Sequence, residues 1–296
     1  MLAQGSSELE RLARLGWRPE TLGPLVDGVR FVDDRIEVEY TEVGLRTLGL
    51  DGGKGYWFDH RAQEVIHALA SVTRVGSVWD VGAGTGSMST RLARAGKDVV
   101  AVEPLAEGAR AIARQGCGSV FCSSLEQLRL PSGCLRVVGL FDVIEHIRDP
   151  RPLMMEVYRV LEPGGIVALT VPALQALWSE ADEVAGHYRR YGQKDLDAFM
   201  KACGFDRAMS RYLFASLFVP AVVSRAAPYR LGRRRRADET TTAIARQLSP
   251  GRIIDRTMRG VLQAERFAAR RVRFPFGLSV MGIYRRDTTS IGELRQ

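Results

Sequence analysis

The sequence predicts an α/β protein built on a doubly wound parallel sheet. Three observations carry the prediction. Segments such as KDVVAVE, VVGLFDV and IVALTV are apolar nearly throughout, as strands covered on both faces must be. They alternate with amphipathic helical stretches, the pattern of a sheet sandwiched between helices. One of them runs straight into a glycine-rich turn and a helix, VWDVGAGTG at 78–86. The 296 residues are 46% hydrophobic and 26% charged, which supports a substantial core and excludes global disorder or a collagen-like chain.

Taken in order, residues 1–55 read as an N-terminal cap: a helix, then a hairpin of GVRFV and RIEVEY turning around Asp33 and Asp34, then the linker DGGKG. The core spans 56–209. HRAQEVIHALASV is a helix, GSVWDVG a strand, MSTRLARAG a helix, KDVVAVE a strand and LAEGARAIARQG a helix. VVGLFDV is the next strand, followed by the helix PLMMEVYRVL, which Pro163-Gly164-Gly165 stops. IVALTV and KDLDAFMKACG form a further strand and helix. Residues 210–273 are an apolar, basic helical insertion, with Ser210–Ala227 as its apolar helix. A last strand, PFGLSVMGIYRR, returns the chain to the core within 274–296.

The formal charge of +8 is unevenly placed. Residues 205–296 hold 19 Arg and 7 acids, a balance of +12, whereas residues 1–204 hold 23 bases and 27 acids, a balance of −4. The four cysteines form no C-x-x-C pair, so buried, reduced thiols in a cytoplasmic protein are expected. MLAQGSSELERLARLG carries charges and lacks a continuous apolar core, so no export signal is expected. No run of about 18 apolar residues predicts a membrane span; the nearest, Tyr212–Ser224, is short and contains Pro220.

The glycine turn is the strongest chemical signal. Gly82, Gly84 and Gly86 let the backbone bend sharply against a bulky ligand, with Ala83 between them, and the following helix offers free N–H groups. Glu103 ends the next strand, before Pro104, where a carboxylate accepts ribose hydroxyls. A dinucleotide fingerprint wants Gly or Ala at 87, and Ser87 stands there.

With Asp80 ahead of the glycines, Glu103 after the second strand, FDVIEH at 141–146 and RVLEPGGIVALTVP at 159–172, the chain resembles the class I S-adenosylmethionine-dependent methyltransferases. It is similar to their ubiquinone-type O-methyltransferases and to related bacterial members of unassigned substrate. The resemblance covers about residues 56–205 and implies a Rossmann-like sheet with S-adenosylmethionine as cofactor. It implies that Asp80 orients the glycine loop near the methionyl amino group and that Glu103 holds the ribose. By the same resemblance Ser124 and Leu125 contact adenine, although many relatives carry an acid at the position of Ser124, and Phe141 packs on the cofactor or in the core. Arg61 either pairs with the cofactor carboxylate or, the favoured reading, lies on a helix surface.

Methyl transfer needs alignment and, for a hydroxyl acceptor, a base. His146 and His187 fall on the carboxyl edge of the sheet and are the candidate catalytic residues; His60 and His67, on one helix, read as structural or exposed. Asp142-x-x-Glu145-His146, with His187 later, also resembles the E-x-x-E-H metal motif of certain O-methyltransferases, with Asp142 for the first Glu. The same Glu-His occurs in relatives with no assigned metal, and no metal is assigned here.

For the acceptor, a lipid-like or polyprenyl molecule received at a membrane surface through 210–236 stands beside a soluble small molecule under a lid. A nucleic-acid platform is disfavoured, because no recognised binding module accompanies the charge. The reading is methyl transfer to a small or lipid-like acceptor at oxygen. The alternatives are a nicotinamide oxidoreductase, an RNA methyltransferase and a non-catalytic scaffold.

Overall fold

The computed structural model describes residues 6–32, 53–233, 236–248 and 250–288. Its strands are β1 (Leu25–Val26), β2 (Val29–Phe31), β3 (Ser77–Val81), β4 (Asp98–Val102), β5 (Ser119–Cys122), β6 (Leu135–Phe141), β7 (Leu161–Pro172), β8 (Phe205–Leu213) and β9 (Ser279–Arg286). They form one sheet in the order β1-β2-β5-β4-β3-β6-β7-β9-β8. Neighbours from β2 through β7 in that order pair in parallel, while β9 is antiparallel to both β7 and β8. Strand order reverses between β3 and β6, and a crevice opens beyond the carboxyl ends of strands at such a point.

Alternate side chains leave the sheet on opposite faces. Val138 and Leu140 of β6 join one apolar cluster, while Val137 and Phe141 join the other. Helices α2 (Tyr56–Val72), α3 (Ser87–Arg94), α4 (Ala106–Arg114), α5 (Arg151–Val160) and α7 (Gln193–Ala202) alternate with these strands. Between β7 and α7 lies the short α6 (Glu180–Ala185), opened by a capping box of Ser179 and Asp182. All four cysteines are free and buried, and burial pushes the thiols of Cys122 and Cys134 up to about 11.

The structure corrects three expectations. The N-terminal segment is not a separate cap, because Val29–Phe31 pairs with β5 and extends the sheet. Its helix α1 (Ser7–Arg14) is tied in as well: Ser6, Ser7 and the Glu8 N–H all donate to Asp98, and Trp17 packs against Trp79. Of the expected hairpin, RIEVEY lies outside the described residues. Secondly, Ser210–Leu213 is not helical but the end of β8, an edge strand whose mixed polar sequence hides its apolar alternation. Thirdly, β5 contains only four residues, too few to register as a periodic segment.

The insertion therefore runs from 214 to 278, between β8 and β9. It contains a helical segment, α8 (residues 218–230), with a π turn at Val222–Ala226, then α9 (Ala237–Leu248) and α10 (Arg252–Ala269). Its polar anchors reach back into the core. Asp255 accepts the Tyr56 N–H at 2.7 Å, and Glu265 accepts the Ala215 and Ser216 N–H groups at 3.0 and 2.8 Å. Arg266 pairs with the buried Glu64 of α2. Among the described residues, no helix is long and apolar enough to cross a membrane.

Candidate functional site

A cavity of about 520 Å³ opens at the switch point between β3 and β6. Its first wall is the glycine turn after β3. Gly82 and Ala83 donate to the Val102 carbonyl at 2.8 and 3.2 Å, stitching the turn to the end of β4. Gly82 has φ +70°, and a Cβ there would lie 2.8 Å from Val143 Cγ2, so the position tolerates no side chain without strain. Gly108 of α4 is a requirement the sequence reading missed: a Cβ there would lie 2.5 Å from the Gly84 carbonyl oxygen and 2.9 Å from Glu103 Cγ.

Glu103 is held by the backbone. Its Oε2 accepts the Gly84 N–H at 2.7 Å and its Oε1 the Leu105 N–H at 2.9 Å. The carboxyl is only 3% exposed, and burial pushes it up to about 7 despite those two hydrogen bonds. Each oxygen retains a lone pair for a ligand hydroxyl. Asp80, at the end of β3, accepts the Ser89 hydroxyl, and burial pushes it up to about 6.

The opposite wall comes from the loops after β6 and β7. Arg61 is not on a helix surface: it is 7% exposed, lines the cavity, and is ion-paired with Asp142. Burial lowers its pKa to about 10, the Glu145 carboxylate opposing that fall. Asp142 also accepts the Thr170 hydroxyl at 2.9 Å. Beyond it, Glu145 is fully buried on the cavity wall, and neither carboxylate oxygen has a hydrogen-bond partner among the described residues. Burial pushes it up to about 8. The His146 and His187 rings meet edge-on at 4.7 Å, and burial, with His187 beside it, lowers His146 to about 3. One ligand atom from each of Glu145, His146 and His187 lies within 4.8 Å of the others.

Asp182 organises this end and was not singled out from the sequence. Its Oδ1 accepts His187 Nδ1 at 2.8 Å and Arg190 Nε at 2.7 Å, while Oδ2 accepts the Ser179 N–H at 2.9 Å. Burial alone would raise its pKa, but the His187 hydrogen bond and the Arg190 charge outweigh it and hold the carboxyl below its usual range. The capping pattern S-E-A-D, five residues ahead of His187, was the available signal.

The structure thus brings Asp80, Gly82, Ala83, Gly84, Glu103, Pro104, Phe141, His146 and His187 to one cavity. Gly86, Ser124 and Leu125 are not on its wall. Gly86 caps α3 with φ +82°, Leu125 is 1% exposed within the core, and Ser124 bonds Gln127. The His60 ring lies tilted against Phe214, with centroids 5.0 Å apart, and His67 bonds the Gln63 carbonyl; neither lines the cavity.

A model of the family described as methyltransferase domain matches residues 79–169. A protein of Mycolicibacterium smegmatis, named as a probable S-adenosylmethionine-dependent methyltransferase, is 28% identical over 55% of this chain and 64% of its own. Residues 79–169 thus match a methyltransferase domain, and the chain is similar to S-adenosylmethionine-dependent methyltransferases over that core. An uncharacterized methyltransferase of Mycobacterium tuberculosis is 35% identical over 39% of this chain and 45% of its own. The matches thus span 64% and 45% of these relatives' own lengths. Among solved structures, phosphoethanolamine N-methyltransferase 2 of Haemonchus contortus, in complex with S-adenosylmethionine, shares the fold. Its TM-score is 0.52 at 15% identity, over 84% of this chain and 58% of that one. In open α/β sheets a cavity at the switch point is where a ligand binds.

Proposed function

We propose that this chain transfers the methyl group of S-adenosylmethionine to an oxygen of a small or lipid-like acceptor, bound at the end of the cavity lined by Glu145, His146 and His187. The observation that carries the reading is the Glu103 carboxylate, fixed by the Gly84 and Leu105 N–H groups and open to the cavity. It would accept both ribose hydroxyls, and Asp80 would lie beside the methionyl amino group. The cofactor, when bound, supplies a methyl carbon activated by the adjacent sulfonium. The chain's own part is alignment, exclusion of water and removal of one proton from the acceptor. Asp182 holds the Nδ1–H tautomer of His187, which leaves Nε2 to take that proton. His146 stays neutral and positions the acceptor. Apolar lining from Leu177, Val184, Ile244 and Leu278 suits an acceptor with a hydrocarbon body.

A second reading is favoured by the convergence of Glu145, His146 and His187. Two imidazoles and a carboxylate whose oxygens lack partners fit a divalent cation, which would lower the pKa of an acceptor hydroxyl. Asp142 takes no part, because Arg61 and Thr170 already occupy it.

Thermal-shift titration with S-adenosylhomocysteine and with NAD tests the cofactor. Stabilisation by the former alone is expected, and stabilisation by NAD alone sinks the reading. Methyl release to a panel of hydroxylated acceptors tests turnover, and chelation with metal add-back tests the cation. Unchanged rates through the chelation cycle remove the metal reading and leave His187 as the base.

A further inference from the structure

The insertion carries a surface that neither the fold nor the cavity uses. Along α10, Asp255, Met258, Leu262, Glu265 and Arg266 recur at helical spacing and face inward, toward α2 and the start of α8. The opposite face is apolar or small: Ile253, Ile254, Thr257, Val261, Ala264 and Phe267. Ile253 is 83% exposed, Ile254 58% and Phe267 59%, and Val272 just beyond the helix is 55% exposed. Single exposed apolar residues need no explanation, but a stripe along more than three turns of one helix does.

The charge around this stripe has one sign. Arg252, Arg256, Arg270, Arg271 and Arg273 are all exposed, and none has an acidic partner among the described residues. The two acids of α10 are both committed elsewhere. Asp255 bonds the Tyr56 N–H and Arg259, and Glu265 holds the Ala215 and Ser216 N–H groups. Arg271 lies over the Phe267 ring at 4.8 Å, a cation set against the edge of the stripe.

We propose that the outer face of α10, with the 270–273 turn, docks this protein on an anionic lipid bilayer. Isoleucine and phenylalanine side chains enter the headgroup boundary, and the arginines beside them meet anionic headgroups. A second copy of the chain is a poorer occupant, because pairing this face with itself brings two sets of unpaired arginines together. A nucleic acid would use the arginines but leave Ile253 and Ile254 in water. The expected contact through 210–236 gives way to α10 for a structural reason. Phe214, Ala215 and Ala226 are buried, and Leu217, Phe218, Ala221 and Val222 pack on the core, which leaves Val219, Val223 and Leu231 as the exposed aliphatic side chains there, against the longer stripe of α10 with its Phe267.

The proposal stands apart from the methyl-transfer reading, since docking requires no turnover. The test is co-sedimentation of the full chain with phosphatidylcholine vesicles, with and without phosphatidylglycerol, at low and high salt. Binding to the anionic vesicles that weakens with salt is expected. A triple variant Arg252→Gln/Arg256→Gln/Arg270→Gln should lose about fivefold in partition coefficient per arginine removed. Ile253→Ser/Ile254→Ser/Phe267→Ser should lose at least about tenfold, because charge alone does not anchor the helix. The S-adenosylhomocysteine thermal shift, unchanged in both variants, shows that they fold; its absence in the wild type would remove the cofactor reading without touching the vesicle result. Equal binding to neutral and anionic vesicles overturns the proposal, as does a serine variant that binds like the wild type. So does a wild-type dimer that the serine variant converts to monomer.

Discussion

The two ends of the cavity are built by different means. At the cofactor end, one strand–turn–helix unit and the end of the neighbouring strand supply nearly everything, and backbone N–H groups hold the key carboxylate. At the acceptor end, Arg61 comes from α2, Glu145 and His146 from the loop after β6, and Asp182, His187 and Arg190 from the loop after β7. The first end is local and depends on glycine. The second is an assembly of buried polar groups in which Arg61 pairs with Asp142 and Asp182 holds both His187 and Arg190. The lesson is that damage at the cofactor end should change affinity, whereas damage at the acceptor end should change stability and turnover together.

The sharpest way to break that contrast is Asp182→Ala. It leaves His187 and Arg190 without their shared carboxylate, and loss of one partner in a buried ionic cluster costs about 3–5 kcal/mol. A large fall in urea midpoint and loss of methyl transfer are expected, with S-adenosylhomocysteine binding retained at permissive temperature. A variant of wild-type stability would show that the acceptor end is not an interdependent cluster.

Glu103→Gln comes next. Each hydrogen bond to a charged group is worth about 1.5–3 kcal/mol, so calorimetry should show S-adenosylhomocysteine binding weakened by about tenfold or more. Stability should not fall correspondingly, because the carboxyl is buried without a cationic partner.

The same group gives a pH signature. The Glu103 carboxyl is raised from 4.5 to about 7 in the folded protein, so the folded state binds its proton more tightly than the unfolded chain does. Its contribution to stability is fully present below about 4.5 and is lost as pH rises through about 7. The Tm of the ligand-free protein should therefore decline across that interval, and Glu103→Gln should flatten the decline. Ligand affinity should move the opposite way, rising as the carboxylate ionises; Asp80 and Glu145, raised to about 6 and about 8, account for the slope that remains, and a slope wholly unchanged by the substitution would assign the titration to them.

Gly82→Ala is expected to cost about 1–2 kcal/mol, from the positive φ and the encounter with Val143. Chemical denaturation measures it. The smallest effect is expected at Ser124→Ala, within about 0.5 kcal/mol in stability and with unchanged cofactor affinity, because Ser124 is not on the cavity wall. A marked loss of affinity there would restore the adenine contact that the family resemblance implied.

What could be read ahead of the structure followed the same division. The placement of the glycine turn, Asp80 and Glu103 on one cavity wall was legible because it depends on short-range spacing: a strand end, a turn and a helix start. His146 and His187 were legible only as residues on the correct edge of the sheet. Asp182 was not singled out, and Arg61 read as a helix-surface cation, because nothing local marks a charge whose partner lies many residues away. The edge strand β8 was hidden because half its residues face solvent, and the 205–213 segment lacks the apolar run that marked the buried strands.

The sequence by itself determined the parallel core and the glycine turn, since strand burial, helix periodicity and glycine placement are local properties of the chain. Only the tertiary structure decided that Arg61 neutralises Asp142, that Asp182 orients His187, and that the N-terminal segment completes the sheet. It alone decided which part of the basic insertion faces out. Those outcomes depend on which distant charges and apolar faces find one another, because a buried ion needs a partner and an apolar face needs a cover. Much of the 210–227 segment found its cover in the core, with Val219 and Val223 left exposed, whereas the outer face of α10 found none among the described residues.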